Sequence, residues 1–292
     1  MKRKPSEKPQ LIEQVAELAM QLSRPYLSEY GATRSRHDFT QRQLLSCLVL
    51  RAYLKTTYRG LVEVLAVSSR LRRSLGLEEK LPHYTTLQKF SARSKVLEIT
   101  QQLIAHIGKV AAGQEDSPTA AAMDSTGLST STASEYFRSR TGNRCNQWVK
   151  LSVIVLCGSL LPLGLELSLG PSNDRTQARQ LVAQARQVAQ PRRLYADGGY
   201  DAEWLHQECR DNWGVESVIK PLNHRADGTR SGRWRSLMSP QYLRKRGYGR
   251  RWAAESFFSG LKRTMGAALS ARKSTQMLAG ASFRVLAYVL RR

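Results

Sequence analysis

With 292 residues, 41% of them hydrophobic, the chain can bury a substantial core in one large or two ordinary domains. Its 46 Lys and Arg outnumber 23 acidic residues, and the resulting formal net charge of +23 points to a polyanionic partner, nucleic acid before an anionic membrane surface. Neither a long apolar run nor a secretory leader is evident, so a membrane-spanning or exported protein is not expected, and a cytoplasmic, nucleoid-associated one is. Cys47, Cys145, Cys157 and Cys209 form no Cys-x-x-Cys pair, and no His lies at ligand spacing to them. That speaks against a zinc site or a disulfide framework. There is no Gly-x-x-x-x-Gly-Lys phosphate loop.

Residues 1–10 are polar. From Leu11 to about Ser28, the residues Leu11, Ile12, Val15, Leu18, Ala19 and Leu22 recur at helical spacing. A polar, basic link follows, and Thr40 is predicted to cap a second helix carrying Leu44, Leu45, Leu48, Val49 and Ala52. A third helix is predicted from Tyr58 to Leu75, stopped by Gly76. After Pro82, Thr85 or Thr86 can cap another, with Leu87 and Phe90 inward, and Ile99 to Ala112 continues as helix. Two short helices with a tight link and basic exposed positions suit a helix-turn-helix module, although many all-α bundles read the same way. Gly113 to Pro118 reads as a linker. The expected division is a helical, DNA-binding domain at residues 1–113 and a second domain at 114–292.

The pattern then changes. Thr119 to Met123 is a short apolar strand running into Asp124. Trp148 to Cys157 and Leu160 to Leu169 are apolar strands joined by Gly158-Ser159 as a two-residue hairpin turn. Asn173 or Asp174 caps a helix to Ala189, and Arg193 to Ala196 is a strand entering Asp197-Gly-Gly. Asp201 caps a helix with Trp204, Leu205, Cys209 and Trp213, and Val215 to Ile219 is a further strand. Residues 223–247 read as a basic loop holding Arg225, Arg230, Arg233, Arg235, Arg244, Lys245 and Arg246. A helix follows through Tyr248 to Lys262, and a last amphipathic one covers about Met277 to Leu290. Antiparallel strands first and β-α units after predict a mixed sheet with helices packed on it, an α+β or α/β domain.

Tyr248, Glu255 and Lys262 fall at steps of seven, with Arg251 one turn before the Glu, so all four share a helix face while Trp252, Phe257, Phe258 and Leu261 pack others into a core. Alone, this is a solvated row with an i,i+4 ion pair, stabilising by about 0.3–0.5 kcal/mol. Two more carboxylates change its meaning. Asp124 sits at or near the end of the first strand, and Asp197 just after a later one; functional groups gather where strands end in open α/β sheets. Singly, Asp124 can be a strand-end cap and Asp197 a turn former. Together with Glu255 they would repel unless cations held them, and oxygen ligands without His or Cys suit Mg²⁺ or Mn²⁺. Two such ions about 3.5–4 Å apart can activate a water or a 3′-hydroxyl and stabilise the leaving oxygen of a phosphodiester. The basic surface would hold the DNA backbone.

The Tyr248, Arg251, Glu255 and Lys262 spacing resembles the Tyr-Arg-Glu-Lys signature of DDE transposases of the insertion sequence four and five groups. Asp197-Gly-Gly-Tyr200-Asp201 is similar to that family's second-Asp motif, and Met123-Asp124-Ser125-Thr126 to its first-Asp strand. Thr57-Tyr-Arg-Gly-Leu and Pro82-His-Tyr-Thr-Thr-Leu resemble, more loosely, its helical N-terminal domain. The resemblance implies a ribonuclease-H-like catalytic domain at 114–292. It implies a catalytic and metal-binding triad of Asp124, Asp197 and Glu255 on two Mg²⁺ ions, with Mn²⁺ as substitute. It implies that Tyr248, Arg251 and Lys262 contact DNA, that the partners are double-stranded transposon ends and target, and that the protein works as a homo-oligomer. A Mg²⁺-dependent nuclease of the same fold and a non-catalytic DNA-binding descendant are the alternatives. The short segment before the Glu255 helix leaves out the large all-β insertion of some relatives. Asp174 and Asp201 are extra acids, expected as helix caps first and as groups supporting the site second.

Overall fold

The computed structural model describes residues 8–34, 36–77, 79–114, 120–130, 140, 148–170, 172–222, 231–271 and 273–292. Part of the expected linker at 113–118, Cys145, Arg225 and Arg230 lie outside the described residues. The chain divides into two compact units, Met1–Leu103 with Ser282–Arg292, and Ile104–Ala281. None of the helices among the described residues is long and apolar enough to cross a membrane.

The first unit is helical: α1 (Leu11–Leu22), α2 (Gln41–Tyr53), α3 (Tyr58–Val67), α4 (Ser69–Leu75), α5 (Tyr84–Ser91) and the start of α6 (Ser94–Gln114). Thr40 caps α2 as expected: its side chain accepts from the Gln43 N–H while the Gln43 side chain accepts from the Thr40 N–H at 2.8 Å. Three expectations are corrected. The first helix stops at Leu22, with Ser23 as its C-cap, rather than running to Ser28. The predicted third helix is two, because Ser68 leaves the helical region (ψ 95°) and its hydroxyl accepts from the Leu71 N–H to start α4. Helix α5 begins at Tyr84, so His83 and not Thr85 or Thr86 takes the cap position, without a capping side chain. Leu45, Leu48, Leu61, Leu65, Leu87 and Phe90 are fully or almost fully buried here. Buried Glu13 ties α1 to α4 through Arg70 at 2.5 Å.

In the second unit, five strands among the described residues form one mixed sheet: β1 (Ala121–Ser129), β2 (Trp148–Leu156), β3 (Pro162–Leu169), β4 (Arg193–Ala196) and β5 (Glu216–Ile219), in the order β3-β2-β1-β4-β5. β1 runs antiparallel to β2 and parallel to β4. This mixed α/β arrangement is consistent with the ribonuclease-H-like expectation. The hairpin is wider than the two residues expected. Pairing closes with the Leu156 N–H donating to Leu161 O at 3.0 Å, and Leu160 takes a left-handed φ of 57°.

Side chains alternate across a strand. Ala121 and Met123 therefore face one side with Ile154 and Leu156, where they pack on Ala178, Leu181, Val182 and Ala185 of α7 (Asp174–Val188). Asp124 and Thr126 face the other side. β1 and β2 also pack against α10 (Trp252–Met265), whose Phe257, Phe258 and Leu261 are buried. Between these lie α8 (Glu203–Gln207) and, within the stretch read as a loop, α9 (Pro240–Lys245), capped by Ser239 and opened by a proline at its first turn. The last helix is α11 (Ser274–Arg291).

Candidate active site

The site is set first by strand register. β1 and β4 pair in parallel over Ala121–Leu194, Ala122–Tyr195 and Met123–Ala196. The next residues on the two strands are Asp124 and Asp197. Both aspartates thus leave the last shared rung together, and neighbouring strands lie only about 4.8 Å apart. Asp124 is not at the strand's end but is the fourth residue of a nine-residue strand, which continues to Ser129 against β2, with Ser129 also bridging Ala268. What ends there is the pairing with β4.

Each aspartate is held by the backbone beside it. Asp124 Oδ1 accepts from the Ser125 N–H at 2.8 Å. Asp197 Oδ1 accepts from the Gly199 N–H at 2.9 Å and so caps the short 3₁₀ turn Gly198–Tyr200. Burial pushes the Asp124 carboxyl up to about 6; the Ser125 N–H and Arg251 pull it down, and the charges of Asp197 and Glu255 push it further up. The three acids therefore sense one another.

The Tyr-Arg-Glu-Lys row arrives from the other side. Tyr248 to Arg251 form a 3₁₀ turn that leads directly into α10, so the row is split between turn and helix rather than lying on one helix. Tyr248 Oη donates to the Ala196 carbonyl at 3.2 Å, one residue before Asp197. Burial first, and the acids behind it, push this phenol up to about 12, against the pull of Arg251, so it stays a neutral donor. Arg251 stands between two of the acids: Nη1 lies 3.7 Å from Asp124 Oδ2, and Nη2 donates to Glu255 Oε1. Lys262 Nζ donates to Thr126 Oγ1 at 2.6 Å, two residues past Asp124 on the same strand face. All six residues singled out from the sequence are brought to this end of β1 and β4.

Trp252, expected in the core, is 56% exposed at the start of α10. Asp201 is not a helix cap: Ala202 holds that position, and the Asp201 carboxylate accepts two bonds from Arg235 (2.8 and 2.7 Å) and one from the Leu222 N–H. Asn173 caps α7, and Asp174 is its first residue, with its side chain turned to Ser125 and Lys150. The clue to that pairing was a lysine inside the apolar run Trp148 to Leu156.

Among the described residues, no three His, Cys, Asp or Glu side chains stand close enough to cage a metal ion. Glu255 is 53% exposed and held by Arg251. The donor chemistry nevertheless fits a divalent cation. It is all carboxylate oxygen, it suits hard ions, and two of the three acids, Asp124 and Asp197, leave one rung of adjacent strands side by side. Beside Tyr248 a cleft of about 610 Å³ is lined by Lys220, Pro240, Leu243, Arg244, Gly247 and Gly249.

Residues 115–290, more than half of the chain, match the transposase DDE domain family, and the chain belongs to that family. No similar curated protein matches it. Membership makes the protein a transposase-type enzyme whose substrate is DNA.

Proposed function

We propose that the protein is a transposase of the insertion sequence four and five type. It binds the terminal inverted repeats of its element, cleaves them at the 3′ ends, and joins the new 3′-hydroxyl to target DNA. Asp124, Asp197 and Glu255 are the catalytic carboxylates and would hold two Mg²⁺ ions, with Mn²⁺ as substitute. Such ions supply activation of a water or hydroxyl and stabilisation of the leaving oxygen. The observation that carries this reading is that Asp124 and Asp197 leave one rung of the β1–β4 ladder with Glu255 facing them across Arg251.

The chain's own groups do the positioning. Arg251 and Lys262 are the phosphate cations. Tyr248, fixed on Ala196, presents a neutral phenol beside them. The cleft walled by Lys220 and Arg244 continues this basic surface and suits a phosphodiester backbone. The helical first unit is the additional DNA-binding part, and pairing of two ends requires a homo-oligomer in the DNA complex.

The test is a plasmid carrying the native flanks of the gene, incubated with Mg²⁺ and either the natural protein or Asp197→Asn. Cleavage at the element ends by the natural protein alone is expected. Random nicking lost in Asp197→Asn would point to a nuclease instead, and binding without cleavage by either would point to a non-catalytic DNA-binding protein.

A further inference from the structure

On the face of the sheet away from Arg251 and Glu255, the apolar packing against α7 is interrupted by a line of polar groups. Lys150, only 6% exposed, places Nζ 2.6 Å from Asp174 Oδ1 and donates to Ser172 O at 2.7 Å. Ser125 Oγ donates to the same Asp174 oxygen. Alongside, Ser152 donates to Gln177 Oε1, and Gln177 Nε2 donates to Ser168 at 2.7 Å. Register places the line at the level of the aspartates, since Ser125 pairs with Ser152 and Gly127 with Lys150.

Stability gives no reason for it. Desolvating the Lys150 ammonium costs several kcal/mol, and a partner carboxylate whose side chain is still 35% exposed returns little net stability. Geometry does give one. Ser125, whose side chain Asp174 holds, is the residue whose N–H holds Asp124. The other Asp174 oxygen faces Gly199, whose N–H holds Asp197. A Cβ at Gly199 would lie 3.0 Å from Asp174 Oδ2 and 3.1 Å from Asp197 Oδ1, so both carboxylates crowd this glycine. The Tyr200 hydroxyl is buried beside Ser125 and the same acids.

We propose that Asp174, clamped by buried Lys150, is a positioning residue that orients Asp124 through Ser125 and Asp197 through Gly199. It stands behind both aspartates and acts on them through neighbouring backbone. The inference rests on the proposed role of those aspartates as metal ligands.

The test compares the full-length natural protein with Asp174→Asn, Ser125→Ala and Gly199→Ala, with Asp197→Asn as reference. Mn²⁺ affinity is read by electron paramagnetic resonance on DNA-free protein, and unfolding temperature in metal-free buffer is read alongside. Asp174→Asn is expected to weaken Mn²⁺ binding about tenfold or more, as partners of ligating groups commonly do. Gly199→Ala, which removes neither carboxylate but crowds Asp174 Oδ2 and Asp197 Oδ1, is expected to shift it in the same direction, and Ser125→Ala by less. Unchanged Mn²⁺ affinity in Asp174→Asn, while Asp197→Asn loses it, would overturn the positioning role alone. Unchanged affinity in Asp197→Asn as well would overturn the metal-site reading and this inference with it. A lower unfolding temperature with intact Mn²⁺ affinity would reduce the polar line to a fold-stabilising contact.

Discussion

Lys262 Nζ bonds Thr126 Oγ1 at 2.6 Å, tying the last residue of the Tyr-Arg-Glu-Lys row to the strand that carries Asp124. An ammonium held this way is aimed rather than free, yet it keeps donors for a phosphate oxygen. Lys262→Ala is expected to weaken DNA binding about five- to tenfold and to make the slope of log affinity against log salt shallower by about one. Thr126→Val, which removes only the tether, is expected to change affinity less than about twofold. Fluorescence anisotropy across a salt series reads both. Equal losses in the two variants would assign the contact to structure instead.

Arg251 lies between Asp124 and Glu255 and lowers the electrostatic cost of holding them together. Arg251→Ala is expected to destabilise metal-free protein by about 1–2 kcal/mol, because like charges then face one another without a counter-ion. Added Mn²⁺ is expected to raise its unfolding temperature more than that of the natural protein. A smaller rise would mean that the guanidinium and the metal do not answer the same charge.

Acid should unfold the second unit in a definite window. Burial first, then the Arg210 charge, pushes the His206 imidazole down to about 4 from 6.5. Its Nδ1 lies 2.8 Å from Ser217 Oγ, which also accepts from Arg210 at 3.0 Å. The unfolded chain takes up the proton near 6.5 and the folded chain only near 4, so this stabilisation is complete above 6.5 and is lost as pH falls toward 4. At full extent it is about 3 kcal/mol. Asp201 adds a loss of the same sign at lower pH. Burial would raise its pKa, but bonds from Arg235 and the Leu222 N–H hold it below 3.8. Denaturant unfolding at pH 7 and pH 4.5 should show the loss, and His206→Gln should flatten it; an unflattened profile would contradict the assignment.

Two aromatic residues of α10 should differ sharply. Phe257 is fully buried and Trp252 is 56% exposed. Phe257→Ala is expected to cost about 3–5 kcal/mol through the cavity it leaves, and Trp252→Ala less than about 1 kcal/mol. Urea denaturation of both variants measures the difference; comparable losses would place Trp252 in a core contact.

Much of this site was legible in the sequence, for reasons that differ by residue. The Tyr248, Arg251, Glu255 and Lys262 spacing needs only helical geometry, and a 3₁₀ turn in place of the first helical turn still brings Tyr248 to Ala196. Asp197 was readable because Gly-Gly after a short apolar strand demands a turn. Trp252 was misread because periodicity says which face a residue occupies, not whether anything covers that face. Asp201 was misread because its partner, Arg235, is 34 residues away. For the Lys150–Asp174 pair only half was readable: Lys150 stands out in an apolar run, but local pattern carries no record of which strand and helix meet. The strands that carry Asp124 and Asp197 are neighbours, but the extent of β1 beyond Asp124 depends on pairing with β2, which composition does not reveal.

The β1–β4 ladder has one more consequence. The two aspartates are adjacent because each is the next residue after a shared rung, not because their side chains touch. Their placement is therefore counted along the chain. Deleting a single residue within 121–123 or 193–196 would turn the following aspartate to the opposite side of the pleat. Such a chain could keep every acidic residue and most of its core and still have its carboxylates on different faces of the sheet. For the short segments of these two strands that precede the aspartates, length is a stricter requirement than the identity of the apolar residues that fill them.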